Sequence, residues 1–164
     1  MKYIVCSLIG YFIGTINPSF LIAKKQGVDI RKEGSGNAGA SNALIILGKL
    51  TGVICALLDI SKACLALFLT QTLFPGAKYA FAITGTACIV GHIYPFYMKF
   101  KGGKGVATGI GVVLAVNPIL GLMLLVIFAA VVAITRYVSL GSCIAAFVMP
   151  ALAIVLVPDF FWFA

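Results

Sequence analysis

The side chains able to do chemistry in this chain are gathered in three short stretches. The first reads Arg31-Lys32-Glu33-Gly34-Ser35-Gly36-Asn37-Ala38-Gly39-Ala40-Ser41-Asn42. Glycines let a backbone turn several N–H groups toward one point, which makes a nest for an anion. Ser35, Asn37, Ser41 and Asn42 add neutral donors, and a helix starting after them would add the positive end of its dipole. Gly34, Gly36 and Gly39 also match the G-x-G-x-x-G dinucleotide fingerprint. No strand precedes them and no βαβ unit surrounds them, so that reading is set aside. Taken alone, the stretch is equally a linker whose Gly, Ser and Asn cap a helix.

The second stretch runs from Gly91-His92 through Lys99 and Lys101-Gly102-Gly103-Lys104-Gly105 to Thr108. Its spacing is not that of a Walker A loop, but point charges on a pliable backbone at the start of a helix suit phosphate. The plainer alternative is a basic patch drawn to anionic lipid, worth about 1 kcal/mol per cation. Two central glycines and an apolar-flanked His92 favour the phosphate site. His92 is the only histidine, and no Asp or Glu lies near it in sequence, so it is expected to support rather than catalyse. The third stretch, Thr135 to Ser142, adds Arg136 and the hydroxyls of Ser139 and Ser142.

What is missing narrows the chemistry. The sequence has no Ser-His-Asp order, no cluster of metal ligands and no carboxylate pair, so neither a metal nor another cofactor is implied. The five cysteines lie in apolar stretches without a C-x-x-C pair and read as small buried hydrophobes.

These stretches need a scaffold, and the composition says which kind. Hydrophobic residues make up 62% of the 164 and charged residues 10%, where a globular domain is about half apolar and about a quarter charged. That excess must face lipid. Six apolar segments run over about 3–23, 50–74, 79–98, 106–116, 119–135 and 138–157. Most approach the roughly 20 residues needed to cross the hydrocarbon. The first reads as a membrane span rather than a cleavable leader, because it ends in Asn17-Pro18-Ser19. The fourth is short, a half-helix, and Asn117-Pro118 turns the chain into the fifth. The fold class is therefore all-α, a polytopic bundle of about six transmembrane helices including one half-helix, with residues 1–164 forming one domain.

The net charge of +8 is a topological signal here, not a sign of nucleic-acid binding. If the spans alternate, Lys24, Lys25, Arg31, Lys32, Lys49, Lys99, Lys101, Lys104 and Arg136 share one side, and only Lys2 and Lys78 lie on the other. The N-terminus is then outside and the three stretches face the cytoplasm. Lys62 falls inside the second span, three residues after Asp59, which puts both on one helix face as a supporting ion pair.

Gly34 to Asn42, Gly91-His92 through Lys101 to Thr108, and Arg136-Tyr137-Val138-Ser139-Leu140-Gly141-Ser142 resemble three successive signatures of the bacterial PlsY family, the membrane acyl-phosphate:glycerol-3-phosphate acyltransferases. The resemblance extends from Ile9 to about Ser142 and includes the stretch from Gly14 to Asn17-Pro18-Ser19 and the Asp59/Lys62 spacing. It implies transfer of a fatty acyl group from acyl phosphate to glycerol 3-phosphate, the first step of phospholipid synthesis, in a bacterial inner membrane. The partners it implies are those two substrates and membrane lipid. Ser35, Asn37 and Lys104 match positions that hold substrate phosphate, with Gly36, Ser41 and Asn42 alongside. Gly102, Gly103 and Gly105 match positions where the chain approaches the phosphate closely. Ser142 matches a position near the same pocket, and His92, Thr108 and Arg136 match supporting ones.

Two departures accompany the resemblance. The family carries an arginine where this chain has Ile45, and Lys49, one helical turn further on, is the substitute at hand. The family also ends in a further span bearing an Arg-His pair, an Asn and a Gly-x-Glu, which a chain ending at Ala164 is expected to lack. A non-catalytic paralogue that binds phosphorylated lipid precursors and a small anion transporter are the alternatives.

Overall fold

The computed structural model describes residues 1–156, so the end of the last apolar segment at Val157, and the placement of Ala164 on the outer side, lie outside the described residues. Those residues form eight α-helices: α1 (Lys2–Thr15), α2 (Pro18–Lys25), α3 (Ala40–Ile46), α4 (Lys49–Leu73), α5 (Ala80–Ile93), α6 (Val106–Val116), α7 (Pro118–Thr135) and α8 (Val138–Leu156). A single 3-10 turn, Phe96–Met98, follows α5. Five stretches are long and apolar enough to cross a membrane: Lys2–Lys25, Lys49–Leu73, Ala80–Met98, Pro118–Thr135 and Val138–Leu156. Val106–Val116 is the short apolar helix, as its sequence requires. Phe12, Leu57, Phe68 and Phe147 lie exposed on these helices, a surface that only lipid tolerates. The chain divides into two compact units, Met1–Val112 and Val113–Ala164.

The first apolar segment is not one continuous helix. Pro18 has no N–H and pushes the residue before it out of the helical region, and Asn17 is extended at φ −113°, ψ 98°. Asn17 then caps α2: its Oδ1 accepts from Phe20 N at 2.9 Å. Its Nδ2 donates to Ala38 O at 2.8 Å, tying the helix break to the first glycine-rich stretch.

In the first unit α1 and α5 pack with their backbones nearly touching. A Cβ on Gly14 would meet the Cys88 carbonyl, one on Gly10 the Thr84 carbonyl, and one on Gly91 the Tyr11 carbonyl. Close approach through small residues is how helices associate in lipid, where burial of apolar surface gives no preference. α4 completes the core: Thr84 Oγ1 on α5 donates to Thr70 Oγ1 on α4 at 3.1 Å. Gly111 on α6 lies against the backbone of Ile60, and the Cys64 thiol donates to its carbonyl at 3.3 Å. In the second unit α7 and α8 bury Leu120, Leu124, Ala145 and Ala153 between them.

Candidate active site

A buried ionic cluster lies where the α1–α2 break, α4 and α5 meet. Lys62 Nζ is 2.6 Å from Asp59 Oδ1, 2.6 Å from the carbonyl of Ile16 and 2.8 Å from His92 Nδ1. His92 Nδ1 is also 3.2 Å from Asp59 Oδ1. The Ile16 carbonyl is available because Pro18 ended the helix: Phe20 N, its usual helical partner, bonds Asn17 instead. Asp59, Lys62 and His92 are 1%, 6% and 3% exposed, so each charge depends on these partners.

No carboxylate lies near His92 in sequence, but the fold brings Asp59 to it from another helix, with Lys62 bonded to both. The available signal was that three ionisable groups lay in apolar segments, each needing a partner.

The second stretch is seated on this cluster. Gly102 N donates to Ile93 O at 2.9 Å and Gly103 N to His92 O at 3.1 Å, which satisfies two carbonyls at the end of α5. A Cβ on Gly103 would strike His92 Nε2, and one on Gly102 the His92 carbonyl. The glycine pair therefore serves to lay the loop flat on α5, and the amides of Gly102 and Gly103 are committed downward. Lys104 follows immediately and is exposed. Gly105, at φ 80°, turns the chain into α6. Thr108 is fully buried near the start of α6, and its Oγ1 has no hydrogen-bond partner.

The first stretch is shaped from beneath by Asn42. Its Oδ1 accepts from Ser35 N at 2.9 Å, and its Nδ2 donates to Ile30 O and Glu33 O, each at 2.9 Å. Asn42 is 1% exposed. It was expected to face an anion, but its amide is spent holding the loop. Ser35, Gly36 and Ser41 are exposed and Asn37 is half-buried above it.

Arg31 joins the two stretches. Its Nη1 donates to Met98 O at 2.9 Å, while its Nε and Nη2 grip Asp29 at 2.9 Å each. The guanidinium holds the Asp29 carboxyl well below the usual range, at about 2.

Ile45 is 65% exposed on α3. Lys49 does not continue that helix, because Gly48 at φ 94° separates it from α3 and Lys49 opens α4. In the second unit Arg136 takes a left-handed conformation at φ 64° between α7 and α8. Ser142 Oγ donates to Ser139 O at 2.8 Å. An apolar groove of about 480 Å³ runs between the α1–α2 break and α4, lined by Ile16, Pro18, Leu21, Leu58 and Leu65, with Lys62 in its wall.

A helical bundle of membrane-spanning length, with two glycine-rich basic loops clipped together over a buried ion cluster, defines an integral membrane protein with a polar site at the end of its helices. The family model described as glycerol-3-phosphate acyltransferase matches residues 4–164. A glycerol-3-phosphate acyltransferase of Thermosipho melanesiensis is 48% identical over 88% of this chain and 70% of its own length. Glycerol-3-phosphate acyltransferase 2 of Thermotoga maritima is 43% identical over 91% and 76%. The crystal structure of PlsY, an integral membrane glycerol 3-phosphate acyltransferase, in its glycerol 3-phosphate form superposes with a TM-score of 0.88 at 37% identity, covering 94% of this chain and 78% of that one. Its lysophosphatidic acid form gives 0.85 at 36%. The chain belongs to the glycerol-3-phosphate acyltransferase family.

Proposed function

We propose that this chain moves a fatty acyl group from acyl phosphate to the 1-hydroxyl of glycerol 3-phosphate, giving lysophosphatidic acid and inorganic phosphate. The observation that carries this reading is the Arg31 link to Met98, which fastens the Ser35–Asn37 stretch to the loop bearing Lys104. Both substrates carry phosphate, so two adjoining anion-binding loops are what the reaction needs.

Acyl phosphate is a mixed anhydride and is already activated. The glycerol hydroxyl oxygen bonds to the acyl carbon, the carbon–oxygen bond to phosphate breaks, and the hydroxyl proton leaves on the departing phosphate. No protein nucleophile is required, and the protein contributes orientation and charge stabilisation. Lys104 supplies a point charge for glycerol 3-phosphate, with Gly102, Gly103 and Gly105 setting its height and Thr108 supporting the turn. Ser35, Gly36, Asn37 and Ser41 hold donor phosphate on the frame that Asn42 builds. Residues 1–164 act as one acyltransferase domain. The apolar groove beside Lys62 takes the acyl chain.

The membrane is the bacterial inner membrane, with the N-terminus outside and the basic loops cytoplasmic, because nine cations then fall on the cytoplasmic side.

The test is acyl transfer from palmitoyl phosphate to labelled glycerol 3-phosphate by this chain in lipid. Labelled lysophosphatidic acid is expected, and Lys104→Ala is expected to abolish it while the protein stays folded. A non-catalytic binding role is favoured by one observation, the exposed Ile45 where a bidentate arginine would grip phosphate. Substrate binding with no product would establish that second reading in place of the first.

A further inference from the structure

The buried cluster fixes where the proton on His92 resides. An ammonium has three hydrogens and no lone pair, and Lys62 has three acceptors within 2.8 Å: Ile16 O, Asp59 Oδ1 and His92 Nδ1. The Lys62 contact to Nδ1 is shorter than the 3.2 Å separation of Nδ1 from Asp59. A proton on Nδ1 would point into the ammonium. Nδ1 is therefore an acceptor, and the neutral imidazole carries its hydrogen on Nε2. Charge balance agrees. Asp59 and Lys62 sum to zero, whereas a protonated His92 would leave a net positive charge buried among the helices.

That hydrogen has a destination. The side-chain contacts of His92 within the described residues run through Nδ1. Nε2 lies against Gly103, in the space a side chain there would fill, one residue before Lys104. We infer that Lys62, itself held by Asp59, locks His92 as its Nε2–H tautomer, making it a neutral, fixed hydrogen-bond donor to the phosphate-bearing ligand held by the Gly102–Gly105 loop. It follows that His92 is not a general base in this site, since the nitrogen facing the loop already bears a proton. The inference rests on the reading of that loop as a phosphate cradle, made above.

One histidine in the chain makes the test direct. Selective ¹⁵N-histidine labelling of the full chain in lipid gives one Nδ1 and one Nε2 resonance, with no assignment problem. Expected are an unprotonated Nδ1 and a protonated Nε2 at neutral pH, and a shift of Nε2 on titration with glycerol 3-phosphate or inorganic phosphate. A protonated Nδ1, or an Nε2 resonance indifferent to both ligands, overturns the proposal. Neither readout needs turnover, so a chain that binds without acyl transfer would refute the proposed function and leave this assignment standing.

Kinetics separate positioning from mere structure. Lys62→Met removes the donor to Nδ1 and should raise the KM for glycerol 3-phosphate roughly tenfold or more while kcat changes far less. His92→Gln, which keeps an N–H donor, should recover most of what His92→Ala loses. A kcat collapse at unchanged KM in His92→Gln would restore the general-base role and defeat the proposal.

Discussion

Gly103 lies where any larger residue collides with the His92 ring, so the loop's height above α5 depends on one missing methyl group. Gly103→Ala is expected to lift the loop, at about 1–3 kcal/mol for the forced shift. The thermal midpoint should fall and the KM for glycerol 3-phosphate should rise. Unchanged values for both would show that the loop does not rest on the ring. Asp29 makes a different prediction, because its carboxyl is lowered from 3.8 to about 2 beside Arg31. A carboxyl whose folded pKa is depressed stabilises the fold above its unfolded value, and loses that contribution as pH falls through the folded one. The stability difference between wild type and Asp29→Asn should thus be constant at neutral pH and shrink between pH 3.8 and about 2. A difference that grows on acidification in a denaturation series contradicts the pairing. At this scale the sequence was legible in part. The Asp59/Lys62 spacing announced a pair, but His92 lies 30 residues beyond Lys62 and only the packing of α5 on α4 joins them.

The helices owe their positions to short polar and glycine signals more than to apolar length. Asn17 caps α2 and holds Ala38 O with the same side chain, so Asn17→Ala should cost about 1 kcal/mol for the cap and more for the abandoned carbonyl. Denaturant or thermal unfolding in detergent measures it, and a neutral substitution would contradict the double role. Gly14→Ala should be worse than Gly27→Ala. The first drives a methyl into the Cys88 backbone, whereas Gly27 has open space around it and suffers only from its φ of 77°. The reverse order would mean that α1 and α5 do not touch there. The spans were readable from apolar length within a few residues. α3 was not, because seven residues inside a basic loop carry no periodic signature, and its separation from α4 hangs on the conformation of Gly48.

On the scale of the molecule, the orientation proposed above rests on the charge distribution along the chain. In a background with the five native cysteines replaced, Lys25→Cys should react with a membrane-impermeant thiol reagent only from the cytoplasmic side, and Lys78→Cys only from the other. The opposite pattern would invert the topology. The proposed orientation comes from counting cations along the chain. The joining of the two loops was not legible in the sequence, since it depends on the reach of Arg31 to a carbonyl 67 residues away.

The ion cluster also dictates an order of events during synthesis. Asp59 and Lys62 are delivered ahead of His92, which follows Lys62 by 30 residues. At about 5–20 residues per second that is a wait of roughly 2–6 s. A single charge at the centre of an inserted helix costs about 2.5–3.5 kcal/mol. During that interval α4 is better kept beside α1 and the insertion machinery than released into lipid. The Ile16 carbonyl, exposed by Pro18 and made before α4, gives Lys62 its first partner beyond its own helix and makes the α1–α2 break a waiting place for the helix that completes the cluster.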